Sequence, residues 1–367
     1  MGKRELLIVI AFVATGVVAF ELTAPPAPEG RGFSFARFWQ GARRGMRGNQ
    51  AVASTTLSGQ IPVGPTLTEL RVGGANRGIH VVGEPRENIA YELHVEAAGP
   101  DQATALEAAK RASLKQDDLG STLALTVTFQ RETSEWGALL LRVPARLAVR
   151  VDSVGGVEIS GVAAAALEQV VGTATIRSVA GTVTGSHRNG DLTIADVGAI
   201  DLMLTGSRAR VTGVARNLAL TSRAGRCEID EAHGEIEIDQ TGEETTVHGP
   251  SGPVHVSGTG GRIVIERPRQ EVKVDCRRTE VDVALNTEAP LTLLTTDETL
   301  RLTLEGPPAI TLDAAASDGT IRGEGIDLEV KASDGEQRCA AIFGNSKTPA
   351  RVTLRTTRGS IVIRGLK

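Results

Sequence analysis

A beat of nine residues constrains this chain more than any other feature. The triplets beginning at positions 209, 218, 227, 236, 245, 254, 263, 272 and 281 read ARV, LAL, CEI, IEI, TTV, VHV, IVI, VKV and VDV. Their third positions are all aliphatic: Val211, Leu220, Ile229, Ile238, Val247, Val256, Ile265, Val274 and Val283. The middle residue is polar or charged except at Ala219 and Val264. Such alternation buries one face of a strand and leaves the other in water. These nine residues are the expected core. Glycine falls two residues before many triplets, as at Gly190, Gly225, Gly234, Gly252 and Gly261. It is read here as supplying the positive φ of a tight corner.

A nine-residue unit is too short to close a coil. Two units, about 18 residues, make a flattened turn carrying two short parallel strands, and coils then stack at roughly 4.8 Å. Three units per coil is the alternative. The beat extends upstream through LTI (192–194) and IDL (200–202). Downstream it slips slightly through LTL (291–293), LRL (300–302) and ITL (310–312), and returns in GTIRG (319–323) and GSIVI (359–363). Aromatic residues are only 3% of the chain, which suits a narrow interior filled by Val, Ile and Leu.

Residues 51–150 lack the beat and read as an N-terminal α+β cap. Strands are expected at 67–72, 78–82, 91–97, 122–130 and 139–143. A helix is expected over 101–115, with Asp101 as its N-cap. A cap is needed because an open stack exposes edge strands.

The first fifty residues differ again. Lys3 and Arg4 precede an apolar run, Leu6 to Phe20. Residues 1–24 read as an uncleaved membrane anchor, with a cleaved export signal as the alternative. Pro25 and Pro26 argue against cleavage after Ala24. The basic N-terminus orients the body, residues 51–367, to the non-cytoplasmic side. Residues 25–50 form a basic, aromatic linker. Within it Phe33, Phe35, Arg37, Phe38, Trp39, Arg43 and Arg44 suit a membrane interface. Residues 1–50 hold seven basic and three acidic side chains, so the overall charge of −4 leaves the body at −8. Nothing in that balance points to nucleic acid.

The run LRVPARLAVRVDSVGGVEISGV (141–162) resembles the entry to the repeat region of the bacterial putative-adhesin family of unknown function number 4097, a family of β-strand-repeat proteins. LTELRVGGANRGIHVVGEP (67–85) is similar to that family's opening strand pair, and RVTLRTTRGSIVIRG (351–365) to its closing repeat. The resemblance spans most of residues 66–365, and 337–350 departs from it as an insertion. It implies a right-handed parallel β-solenoid, here residues 151–367, exported to the cell envelope. It brings no catalytic residues.

Candidate chemistry is sparse. No Asp recurs at the turn position that calcium-binding nonapeptide repeats require. There is no HExxH, CxxC pair, P-loop or nucleophile elbow. With an 18-residue coil, Glu237, His255 and Lys273 share one outward column, and Glu228 and Asp282 share another, two coils apart. Cys227 takes an inward position, Cys276 and Cys339 lie outside the triplets, and a 276–339 disulfide is left open. The expected function is therefore a non-enzymatic, membrane-tethered envelope protein. Its solenoid would contact an envelope protein or polymer in an adhesion-like or scaffold role, with no catalytic residue, cofactor or metal. The alternatives are a carbohydrate-active β-solenoid enzyme and a regulatory ectodomain of an envelope-stress system.

Overall fold

The computed structural model describes residues 50–130, 134–306 and 308–366. The proposed anchor and the seven membrane-interface residues lie outside them. Among the described residues no helix is long and apolar enough to cross a membrane.

The described chain is nearly all β, with one helix. From position 208 to position 266 each strand pairs in parallel with the strand 18 residues further on, which carries the register to 285. Examples are Val211 with Ile229 and Leu220 with Ile238. Two interleaved series of strands result, so one coil contains two nine-residue units rather than three. The step is 17 where Leu192 meets Ala209 and 19 where Val272 meets Leu291, which accounts for the slips in the beat. About a dozen coils stack in this way, roughly 60 Å at ~4.8 Å each.

The nine beat residues all lie in the buried core. They form two facing ladders, Val211–Ile229–Val247–Ile265–Val283 and Leu220–Ile238–Val256–Val274. The first ladder extends without a gap back to Val81 through Ile194, Ile176 and Ile159, and forward to Ile363 through Leu302. A single hydrophobic cluster runs through the stack. Each fully buried aliphatic side chain there contributes about 1.5–3 kcal/mol relative to exposure.

Both ends depart from sequence order. At the N-terminal end, Glu69–Gly73 and Gly78–Glu84 form a coil within the parallel stack. That coil lies between Ala148–Ser153 with Gly156–Ser160 on one side and Thr122–Thr128 with Glu135–Pro144 on the other. The region read as a separate cap therefore supplies two coils. Antiparallel strands Asn88–Gly99 and Ala51–Pro62 close one face, and Ser113–Asp118 closes the other. The C-terminal end repeats the device. Ala350–Thr357 and Ser360–Leu366 slot between the coil at 291–305 and the coil at 310–324. The segment read as an insertion supplies Glu336–Phe343, which caps Ile310–Ser317 in antiparallel fashion.

The helix, Gln102–Arg111, is shorter than expected. Asp101 caps it, its carboxylate accepting from Thr104 N at 2.8 Å. That bond holds the carboxyl below its usual range. Ala112 turns to extended backbone, and Ser113–Asp118 pairs as a strand instead of continuing the helix.

The glycines before the triplets have a different role from the one expected. Most do not adopt positive φ; they let backbones of successive coils approach closely. A Cβ on Gly252 would lie 2.0 Å from the carbonyl oxygen of Gly234. The left-handed corner positions are instead held partly by Ser178, Asp196, Glu231 and Arg267, and by Asn189, Ala224 and Arg278. Gly213 and Gly249 fill out the first column and Gly206, Gly242 and Gly260 the second. For a residue with a side chain this conformation costs roughly 1–2 kcal/mol.

Candidate functional site

The outward residues fall into three regions. The first is a charge ladder on the face containing Val211 and Ile229. Alternation turns the polar middle residue of each triplet outward, and the register stacks these residues on the next coil. Arg208 meets Asp191 at 3.2 Å, Arg226 meets Glu244 at 3.2 Å and Arg210 meets Glu228 at 2.8 Å. Arg262 pairs with Asp282. Arg301 reaches both Glu280 at 2.6 Å and Asp282 at 2.7 Å. His248 joins Glu266 at 3.0 Å. Hydrogen bonds donated to these carboxylates raise the pKa of Arg262 and of Arg301 above the ordinary guanidinium range. Charges that would repel within a column are thus neutralised between coils. Glu228 and Asp282 share a column through Thr246 and Val264, which makes them three coils apart rather than two.

The second region is the opposite face. Glu237, His255 and Lys273 stand in one column, in register. Their ion pairs run elsewhere: His255 to Glu235 at 3.5 Å and Lys273 to Glu271 at 2.8 Å. The column does not converge on a common point.

The third region is not legible as a site in the sequence. At the N-terminal end five strands from distant parts of the chain lie side by side. Gly78 pairs with Ala138 and with Gly156, so three very small residues sit in line. They floor a groove of about 560 Å³, lined also by His80, Glu92, His94 and Glu158. His80 Nε2 lies 3.7 Å from Glu158, and His94 Nδ1 lies 3.3 Å from Thr56 Oγ1. Beyond this wall Arg77 stacks over Trp136 at 5.8 Å and pairs with Glu96 at 2.5 Å. A smaller hollow of about 240 Å³ adjoins the groove and shares Glu92 and Leu140 with it. The groove offers both hydrogen-bond donors and acceptors. The only sequence signal for it is the glycines at 78 and 156, whose alignment depends on the end coil lying out of sequence order.

Inside the stack a corner column carries polar residues. His187, Ser222, Gln240, Cys276, Thr295 and Thr356 share this column. Several of them satisfy corner carbonyls. His187 Nε2 donates to Gly172 O at 2.7 Å, Gln240 Nε2 donates to Glu243 O at 3.1 Å, and Thr295 donates to Thr279 O at 3.1 Å. Burial lowers the pKa of His187 and keeps the ring neutral. All three cysteines are free and buried. Cys276, which lies outside the triplets, is buried in this corner column. Burial pushes the Cys227 and Cys276 thiols up to about 12, so neither is a nucleophile at neutral pH.

Among the described residues no group of three or more His, Cys, Asp or Glu side chains could hold a metal ion. No family model matches the sequence. No curated protein matches it either. Two solved structures align along most of the chain. A putative cell adhesion protein from Clostridium sporogenes is 10% identical, covers 87% of this chain and all of its own, and has a TM-score of 0.20. A putative adhesin from Bacteroides fragilis is 13% identical, covers 85% of this chain and 97% of its own, and has a TM-score of 0.29.

Proposed function

We propose that this chain is a non-enzymatic cell-envelope protein that acts as a binding scaffold, in an adhesion-like role. In this reading residues 1–24 tether it to the membrane, 25–50 lie at the lipid interface, and the body is a right-handed parallel β-solenoid on the non-cytoplasmic side. Membership of the β-strand-repeat family belongs to the same proposal and rests on the runs 67–85, 141–162 and 351–365. The observation that carries the function is the ladder of outward charges, many of them paired with an opposite charge on the coil beside them. It makes a long polar surface on which Glu228, Glu244, Glu266, Glu280 and Asp282 are paired along the stack. A glycosidase needs two carboxyl groups set across a cleft from each other. A scaffold needs an extended face that keeps its shape, and recognition can then be concentrated at the N-terminal groove.

The test is chemical cross-linking of the intact protein in its own membranes, followed by identification of what is captured. Wild type is compared with a groove variant, His80→Ala with Glu158→Ala, and a ladder variant, Arg210→Ala with Glu228→Ala. A scaffold loses its partner in one of the two and retains its fold in both. A chain that captures neither protein nor envelope polymer, or that resides in a soluble cytoplasmic fraction, overturns the reading.

A further inference from the structure

The strands that end the two faces are guarded unequally. Ser113–Asp118 has six residues and carries Lys115, Asp117 and Asp118. Val330–Ser333 has four and carries Lys331. Thr320–Glu324 has five and carries Arg322 and Glu324. On that last edge Gln337 Oε1 accepts from Ile321 N at 2.7 Å, so a side chain occupies one of its free backbone donors. Shortness, charge and plugging are the usual means by which a sheet edge avoids pairing with another chain.

The fourth edge has none of these. Ala51–Pro62 is twelve residues long, AVASTTLSGQIP, with no charged side chain. Among the described residues it pairs with Asn88–Gly99 alone. Val52 is 48% exposed and Leu57 40% exposed.

We propose that this edge is a self-association surface on which two copies pair Ala51–Pro62 antiparallel about a two-fold axis, joining their N-terminal sheets. Length points to a second copy, because no other described edge exceeds six residues and only the same strand can match all twelve. Charge points the same way. A strand without charge meets its own copy with no like-charge clash, and it offers nothing by which a charged partner would be selected. Ala53, Ser54, Ser58 and Gly59 are small and allow close approach. The contact closes on itself as a dimer, since the other edges are too short and too charged to propagate a filament. Ser54, Thr56 and Ser58 are exposed. Pairing that keeps this face on one side brings the two grooves, each bordered by Thr56, onto a shared surface.

The experiment uses the full chain in detergent and in membranes. Sedimentation velocity of the wild type shows a concentration-dependent dimer. Single variants Ser54→Cys, Thr56→Cys and Ser58→Cys are oxidised mildly, and at least one gives a disulfide-linked homodimer, whereas Arg322→Cys on the charged edge gives none. Thr56→Lys weakens the dimer at least about tenfold, with unchanged circular dichroism. Should Thr56→Lys fail to fold, the cysteine series decides alone. A wild type that stays monomeric at every concentration overturns the proposal. So does a dimer that survives Thr56→Lys with no cross-link from the three positions, and so does cross-linking solely to a different protein.

Discussion

The middle of the stack and its two ends are made of the same kind of coil, yet they are assembled by different rules. Between 208 and 285 every coil rests on the one next to it in sequence, and a residue's neighbour is found by counting eighteen. At each end the chain skips a position and a distant segment fills it: Glu69–Glu84 at one end and Ala350–Leu366 at the other. The middle is held by short-range pairing that can grow coil by coil. The ends require contacts of long sequence separation, which cost more entropy to form. Repetition builds the body of the stack, and non-local insertion closes it.

The largest effect is expected from removing the inserted coil. Deleting 350–366 strips the parallel partners from both Leu291–Thr296 and Ile310–Ser317. Amide hydrogen exchange then loses protection throughout 291–343 while 208–266 stays protected. If 310–343 keeps its protection, insertion is not what holds that end. Next comes a charge in the middle. Val256→Asp or Ile238→Asp places an unpaired carboxylate in a buried ladder and costs several kcal/mol. His255→Asp on the same strand costs much less, about 1 kcal/mol, because position 255 points outward and is only half-buried. Equal losses in urea denaturation at 255 and 256 would break the two-faced strand.

A smaller contrast concerns the glycines. Gly252→Ala drives a methyl group into the carbonyl of Gly234 and is expected to cost about 1–3 kcal/mol. Gly242→Ala meets open space at a positive φ and is expected to cost about 1 kcal/mol. Reversal of that order in thermal melts would restore the corner explanation. The smallest effects involve titration and the ladder. His187 has its pKa lowered by burial, so the unfolded chain takes up the proton first. Stability is therefore full above the unfolded value of 6.5 and declines as pH falls below it. His187→Gln should flatten that decline in melts taken across the same range. Arg301→Met, in a half-buried part of the ladder, should cost about 1 kcal/mol, with the difference shrinking in high salt.

The same division explains what can be read from the residues. Val211 through Val283 can be placed because burial there depends on position within a short repeat, and the repeat is written in the sequence. Asp101 can be placed as a cap because capping is local. The slots filled by 69–84 and 350–366 cannot, since VGGANRGIHV and GSIVI look like any other strands with turns and nothing in them records which coils they separate. The groove shares that fate: Gly78, Ala138 and Gly156 are far apart until the end coil is in place. The role of Gly252 is ambiguous in the sequence because a close approach between backbones and a positive φ both require glycine. His187 and Gln240 escape the pattern because a polar residue facing inward at a corner breaks the alternation by which the strands are found.

A polypeptide is made from its N-terminus, and the strands at 350–366 are made after both of the coils they separate. Until Ser360–Leu366 has emerged, the coil at 300–305 and the coil at 320–324 have no common partner. A product that stops before position 350 would be left with an unfilled seam, open to proteolysis, while its centre was already wound. The order of synthesis thus leaves a gap in the stack until residues 350–366 close it as a clasp.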